Sequence, residues 1–193
     1  RFVVYGNHND RPTNQHLIRL EINAGEAFGT GHHATTKGCL MALSRLNKPK
    51  NNIRMLDLGC GAAVLALAAA KLWKIKVLAG DIDPTAVRVA KENVRKNKLH
   101  KSISCVASDG FDSARLRKEG PFDVIVANIL SEPLRRLARP MRMNSGPNAT
   151  IILSGILSTQ SPAIISTYRL QGFHLQSRLQ LDGWTTLILT NSR

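Results

Sequence analysis

Short apolar runs alternate along the chain with longer stretches in which apolar positions recur every three or four residues. Runs nearly continuous in Val, Ile and Leu predict strands buried on both faces. A 3.6-residue recurrence predicts a helix with one buried face. On this pattern strands fall at 17–22, 53–57, 76–80, 102–106, 123–127, 150–154, 172–179 and 185–189. Helices fall at 34–46 and 63–72, from Pro84, from Pro133, and from Ser161-Pro162 to about residue 170. Asp83 precedes Pro84, which puts a good cap before a residue suited to the first helical position. Val87, Ala90 and Val94 then share one face. In the helix from Pro133, Leu134, Leu137 and Met141 face inward and the arginines outward. Strands alternating with helices of this length predict an α/β fold with a doubly wound sheet, parallel at its centre. The last two strands, joined by Asp182-Gly183, predict an antiparallel hairpin at one edge.

One strand end carries candidate chemistry. Asp57-Leu58-Gly59-Cys60-Gly61 closes an apolar run and opens an alanine-rich helix. In sheets of this kind ligands bind beyond the carboxyl ends of the strands, where the strand order reverses. Gly59 and Gly61 permit a tight turn and close approach of backbone to ligand. A dinucleotide fingerprint needs Gly or Ala three residues after the second glycine. Val64 stands there instead, and its bulk would crowd the strand–helix contact. Asp57 would repel a diphosphate and suits an ammonium group, such as that of a methionine moiety; its alternative is to partner a helix N-terminus. Asp81 ends the next strand and can accept two hydrogen bonds from ribose hydroxyls, in either kind of cofactor. Its alternative, capping the helix at Pro84, is better served by Asp83.

Composition narrows the class. The chain has 193 residues, enough for one domain with a sizeable core. The apolar stretch 64–70 is far too short to cross a bilayer, so no membrane association is expected. The net charge of +14 suits either a polyanionic neighbour such as RNA or a solvated basic surface, with a local concentration at Arg135, Arg136, Arg139 and Arg142. Three cysteines without metal-ligand spacing fit a reducing cytoplasm, and no metal is expected. The chain starts at Arg1, as a fragment of a longer protein would.

Three stretches carry a more specific resemblance. They are GEAFGTGHHATT at 25–36, Asn128-Ile129-Leu130 with Pro133-Leu134, and LSGIL at 153–157 followed by Gln160. In order and spacing they resemble the PrmA family of class I S-adenosylmethionine-dependent methyltransferases, over nearly the whole chain. The resemblance implies a seven-stranded methyltransferase sheet. It implies methylation of amino groups, both lysine side chains and the chain's amino terminus, on a large-subunit ribosomal protein. S-adenosylmethionine would be the methyl donor and S-adenosylhomocysteine the product. By motif, Thr36, Gly59, Asp81 and Asn128 match cofactor contacts, and Phe28, Gly29, Thr30 and Gly31 match a loop that covers the cofactor. A separate recognition domain would precede this one. Family catalytic domains of this kind need no partner chain, so a monomer is expected. The chain departs from the pattern at Ala62-Ala63, where Ser-Gly is common, and at His32 and Ala34. Ala63 is expected to place a methyl group close to the cofactor.

The same residues suggest a mechanism. Asn128 can accept a hydrogen bond from an amine and aim its lone pair without trapping the ammonium form; its alternative is to cap the helix near Pro133. Phe28 can shield the transferring methyl or simply anchor its loop. Thr35 and Thr36 can cap the helix that follows. Asp109 can accept from an adenine amine or serve a turn with Gly110. Competing readings are an RNA methyltransferase, a dinucleotide oxidoreductase and a non-catalytic remnant of the fold.

Overall fold

The computed structural model describes residues 1–6, 14, 16–22, 34–47 and 53–191. In chain order the elements are β1 (Phe2–Tyr5), β2 (Ile18–Glu21), α1 (Ala34–Arg45), β3 (Met55–Leu58), α2 (Val64–Trp73), β4 (Val77–Asp81), α3 (Pro84–Lys96), β5 (Ile103–Ala107), α4 (Ala114–Glu119), β6 (Phe122–Asn128), α5 (Ser131–Asn144), β7 (Ser145–Leu157), α6 (Ser161–Leu170), β8 (Phe173–Leu181) and β9 (Trp184–Asn191).

Seven strands form one sheet in the order β5-β4-β3-β6-β7-β9-β8. The pairs from β5 through β7 are parallel, and β9 runs antiparallel to both β7 and β8. The winding reverses between β3 and β6, which sets their carboxyl ends at the switch point. The hairpin is present as expected, but its later strand lies inside. Leu187, Ile188 and Leu189 of β9 are buried, whereas most of β8 is exposed. The apolar strand takes the covered position and the polar one takes the edge.

The central strands divide their side chains by alternation. Met55, Val124 and Val126 pack with α1, α2 and α3 on one face. Leu56, Ile125 and Ala127 pack with α5 and α6 on the other. Such period-two alternation between two apolar layers is why these strands read as continuous runs.

Several boundaries differ from the expectation. Helix α5 starts at Ser131, two residues before Pro133, and β7 is longer than predicted. Leu137 is only partly buried, with Ala138 taking a fully buried place. Arg142 does not point outward: its guanidinium lies over the ring of Phe173 at 5.9 Å. Strand β1 and the short α4 were not predicted. The strand expected at 17–22 does not join the main sheet; as β2 it pairs with β1 in a parallel two-stranded sheet. Asn97 holds it in place, accepting from the Glu21 N–H and donating to the Glu21 carbonyl.

Candidate functional site

The glycine turn after β3 is tied to the next strand. The Gly59 and Cys60 N–H groups both donate to the Gly80 carbonyl, at 2.8 and 3.0 Å. Gly59 has φ +69°, and a Cβ there would overlap Cγ2 of Ile129. Gly61, at φ +50°, donates its N–H to Oδ2 of Asp81 at 2.8 Å. The other carboxylate oxygen of Asp81 accepts from the Asp83 N–H at 3.0 Å. Asp83 caps α3, accepting from the Thr85 N–H at 2.8 Å, so Asp81 is not needed as the cap. Each oxygen of Asp81 keeps further acceptor capacity.

Asp57 is fully buried, and its Oδ2 accepts from the Ala66 N–H at 2.9 Å. Ala66 lies in the first turn of α2, which has no acidic residue of its own. The carboxylate therefore serves the helix N-terminus from the end of the strand. Burial pushes its pKa up from 3.8 to about 8; the Ala66 N–H opposes the rise and Asp81 adds to it. Asp57 also lines the cavity, so its two expected roles are compatible.

Ala63 adopts φ 62°, in the left-handed region that favours glycine. Its side chain is fully buried in the core and does not line the cavity.

The cavity over these strand ends has a volume of about 660 Å³, within the range of small-molecule sites. Asp57, Asp81 and Asp109 bring three carboxyl groups to it, of which Asp57 is protonated at neutral pH, and Arg136 is the one cation among its described lining residues. Its walls are otherwise mostly apolar, with Ile82 (66% exposed) and Leu130 (68% exposed) at the rim. This electrostatic setting suits a cationic ligand and opposes a diphosphate. Asp109 is exposed on the rim and sits in a turn in which the Asp112 N–H donates to its carbonyl at 3.1 Å and Gly110 takes φ +53°.

Asn128 ends β6 and lines the cavity. Its Nδ2 donates to Thr36 Oγ1 at 3.3 Å, which turns the amide oxygen towards the role of acceptor. It does not cap α5, whose N-cap position is Leu130 without a side-chain bond. Thr35 and Thr36 lie buried inside the first turn of α1. Gly155 of β7 lies against the main chain of Ile129, so the motifs at 128–130 and 153–157 meet in space. Phe28, Gly29, Thr30 and Gly31 lie outside the described residues. Among the described residues no cluster of three potential ligands could hold a metal, and no helix is long and apolar enough to cross a membrane.

Sequence reasoning missed Ile82, Leu130 and Trp184 as cavity residues. The first two follow residues already singled out, Asp81 and Asn128, and so could have been found. Trp184 arrives at the start of β9, and nothing in the linear pattern brings the edge hairpin to this cavity.

Comparison with known proteins agrees with this geometry. The family described as ribosomal protein L11 methyltransferase (PrmA) matches residues 1–192. A ribosomal protein L11 methyltransferase of Bradyrhizobium diazoefficiens is 46% identical over 189 residues, which is 98% of this chain and 64% of that protein. The chain thus spans about two thirds of the length of such relatives. A crystal structure of a ribosomal protein L11 methylase from Lactobacillus delbrueckii subsp. bulgaricus aligns with a TM-score of 0.89 at 26% identity, covering 100% of this chain and 95% of the other. An RNA methyltransferase from Salinibacter ruber, solved with S-adenosyl-L-homocysteine, shares the fold at TM-score 0.62 and 16% identity, over 80% of this chain and 90% of its own. With the match running almost end to end and the glycine turn, Asn128 and Gly155 drawn around one cavity, the chain belongs to the ribosomal protein L11 methyltransferase (PrmA) family.

Proposed function

We propose that this chain transfers methyl groups from S-adenosylmethionine to amino groups of ribosomal protein L11, on lysine side chains and at the amino terminus. The observation that carries it is the pairing of a carboxylate-lined cavity with a neutral acceptor, Asn128, held on Thr36 at its edge. The residues fit the donor. Asp57 suits its amino group, Asp81 its ribose hydroxyls, and Asp109 the exocyclic amine of its adenine. Gly59 and Gly61 give the backbone close approach, where a Cβ at Gly59 would already overlap Ile129.

When bound, the cofactor supplies a methyl group already activated on a sulfonium. The protein's task is therefore to position and desolvate. A lysine amine is protonated at neutral pH and must shed its proton to water before attack. The apolar rim of Ile82 and Leu130 lowers the amine's pKa by disfavouring its charged form. Asn128 then accepts one N–H of the neutral amine through its side-chain oxygen and orients the lone pair. A carboxylate at this place would hold the ammonium form instead. The working form is a monomer in the cytoplasm, with ribosomal RNA near its substrate.

Isothermal titration with S-adenosylmethionine, with NAD in parallel, tests the cofactor. Micromolar binding of the methyl donor alone is expected. Mass spectrometry of L11 incubated with both then tests the acceptor, with added mass on lysine and the terminal amine expected. Binding of NAD without the methyl donor would overturn the proposal.

A further inference from the structure

A second concavity lies at the opposite end of the sheet. It has a volume of about 1040 Å³ and opens at the amino ends of β3, β4 and β5. Met55 lines it, whereas Leu58 at the other end of the same strand lines the carboxylate cavity. The two sites are thus roughly 10 Å apart along β3. Six cations line the groove: Arg54, Lys74, Lys76, Lys101, Arg115 and Lys118. All six are exposed. Glu119 is the one carboxylate among its lining residues, and it is held by Arg115 at 2.7 Å. These cations come from three separate connections and from α4, so no run in the sequence announces them. The arginine concentration visible in the sequence lies elsewhere, on α5.

The groove floor is buried: Trp73, Met55, Val77 and Phe122 are covered. The large exposed apolar side chains of the described residues, such as Ile82, Leu130 and Leu170, all lie off it. A lipid surface or an acidic protein would need protruding apolar anchors, and the apolar side chains the groove offers at its surface are the half-buried Ile53 and Ile75. Single-stranded nucleic acid would need exposed aromatic faces for stacking, and the groove's aromatics are covered. A duplex phosphate backbone needs only spaced cations and hydroxyl donors, and Ser102 and Ser104 supply the hydroxyls. Arg115 already donates to Ser104 Oγ at 3.0 Å, which holds its guanidinium in the groove. Lys74 sits at φ 59° after α2, in the left-handed region where glycine is the easier residue. A cation stands there despite the local preference.

We infer that this groove is a docking surface for the phosphodiester backbone of duplex nucleic acid, RNA in the setting of a ribosomal substrate, independent of the methyl-transfer site. Fluorescence anisotropy with a labelled RNA duplex, and a DNA duplex of the same sequence, tests it across a salt series. Affinity is expected to fall roughly a thousandfold between 50 and 200 mM salt. The triple variant Lys74→Gly, Lys101→Gln, Lys118→Gln is expected to lower the salt slope by about three. Glycine at position 74 suits the backbone there, so the fold is kept. Methyl-donor titration of the variant, expected unchanged, reports that it is folded. An Arg135→Gln, Arg139→Gln variant on α5 is expected to bind like the parent chain. Tighter binding of RNA identifies RNA as the source; equal binding of DNA supports a general backbone site. No duplex binding at 50 mM salt, equal losses in the α5 variant, or equal binding of polyglutamate overturns the inference. Duplex binding by a chain that ignores the methyl donor would sink the methyltransferase proposal and leave this one standing.

Discussion

Gly155 lies against the backbone of Ile129, at φ +82°, so closely that a Cβ on residue 155 would overlap the Ile129 carbonyl. Ile129 is also the residue whose side chain meets Gly59 from the other direction. The loop that follows Asn128 is thereby seated between two glycines, one in the turn after β3 and one in β7, on either side of β6.

Gly155→Ala therefore acts twice. It forces a left-handed alanine and pushes on the main chain next to Asn128. We expect a loss of about 2–4 kcal/mol of stability from the combined strain and overpacking. Urea unfolding checks this. Methyl transfer by the folded fraction should fall as well, because Asn128 shifts with its neighbour.

Thr36 Oγ1 accepts from Asn128 Nδ2 at 3.3 Å. Thr36→Val keeps the shape and removes the acceptor, and kcat should fall about tenfold for one lost hydrogen bond. Thr36→Ser should restore it. Asn128→Ala should cost about a hundredfold, the scale of misplacing a reacting group. Equal rates for the Val and Ser variants would show that the hydroxyl is irrelevant.

Asp57 carries a pH signature. Its pKa rises from 3.8 to about 8 on burial. Between roughly pH 4 and 8 the native state keeps a proton that the unfolded chain has released. Stability therefore falls as pH rises through that window. Asp57→Asn can still accept from the Ala66 N–H and should flatten the decline, seen as similar denaturation midpoints at pH 5 and pH 8. Binding a cationic amino group favours the charged form. Calorimetry at pH 7 in buffers of different ionisation enthalpy should thus detect proton release in the parent chain and none in the variant.

At Ala63 two effects oppose each other. Relief of the left-handed conformation favours Ala63→Gly by about 1–2 kcal/mol. Lost burial of one methyl costs about 0.8 kcal/mol, and the greater freedom of the unfolded chain costs about 0.4–1 kcal/mol. We expect a change near zero, with methyl-donor affinity unaltered. Ala63→Val, β-branched at positive φ, should lose more than about 2 kcal/mol in the same denaturation assay.

Local pattern determined much of this protein. Alternating apolar runs and helical periods specified the doubly wound sheet, because burial on both faces of a parallel strand leaves an unbroken apolar signature. Asp83-Pro84 marked a helix start, and Asp57, Gly59, Gly61 and Asp81 marked the cavity end of the sheet, because turn chemistry is written in consecutive residues. Tertiary structure alone decided what depends on distance across the chain. It turned Asn128 onto Thr36, bedded Gly155 on Ile129 and put β9 inside β8. It also gathered six cations from three connections and α4 into one groove. No local periodicity encodes such meetings, since each is set by how layers pack and which strand is better covered.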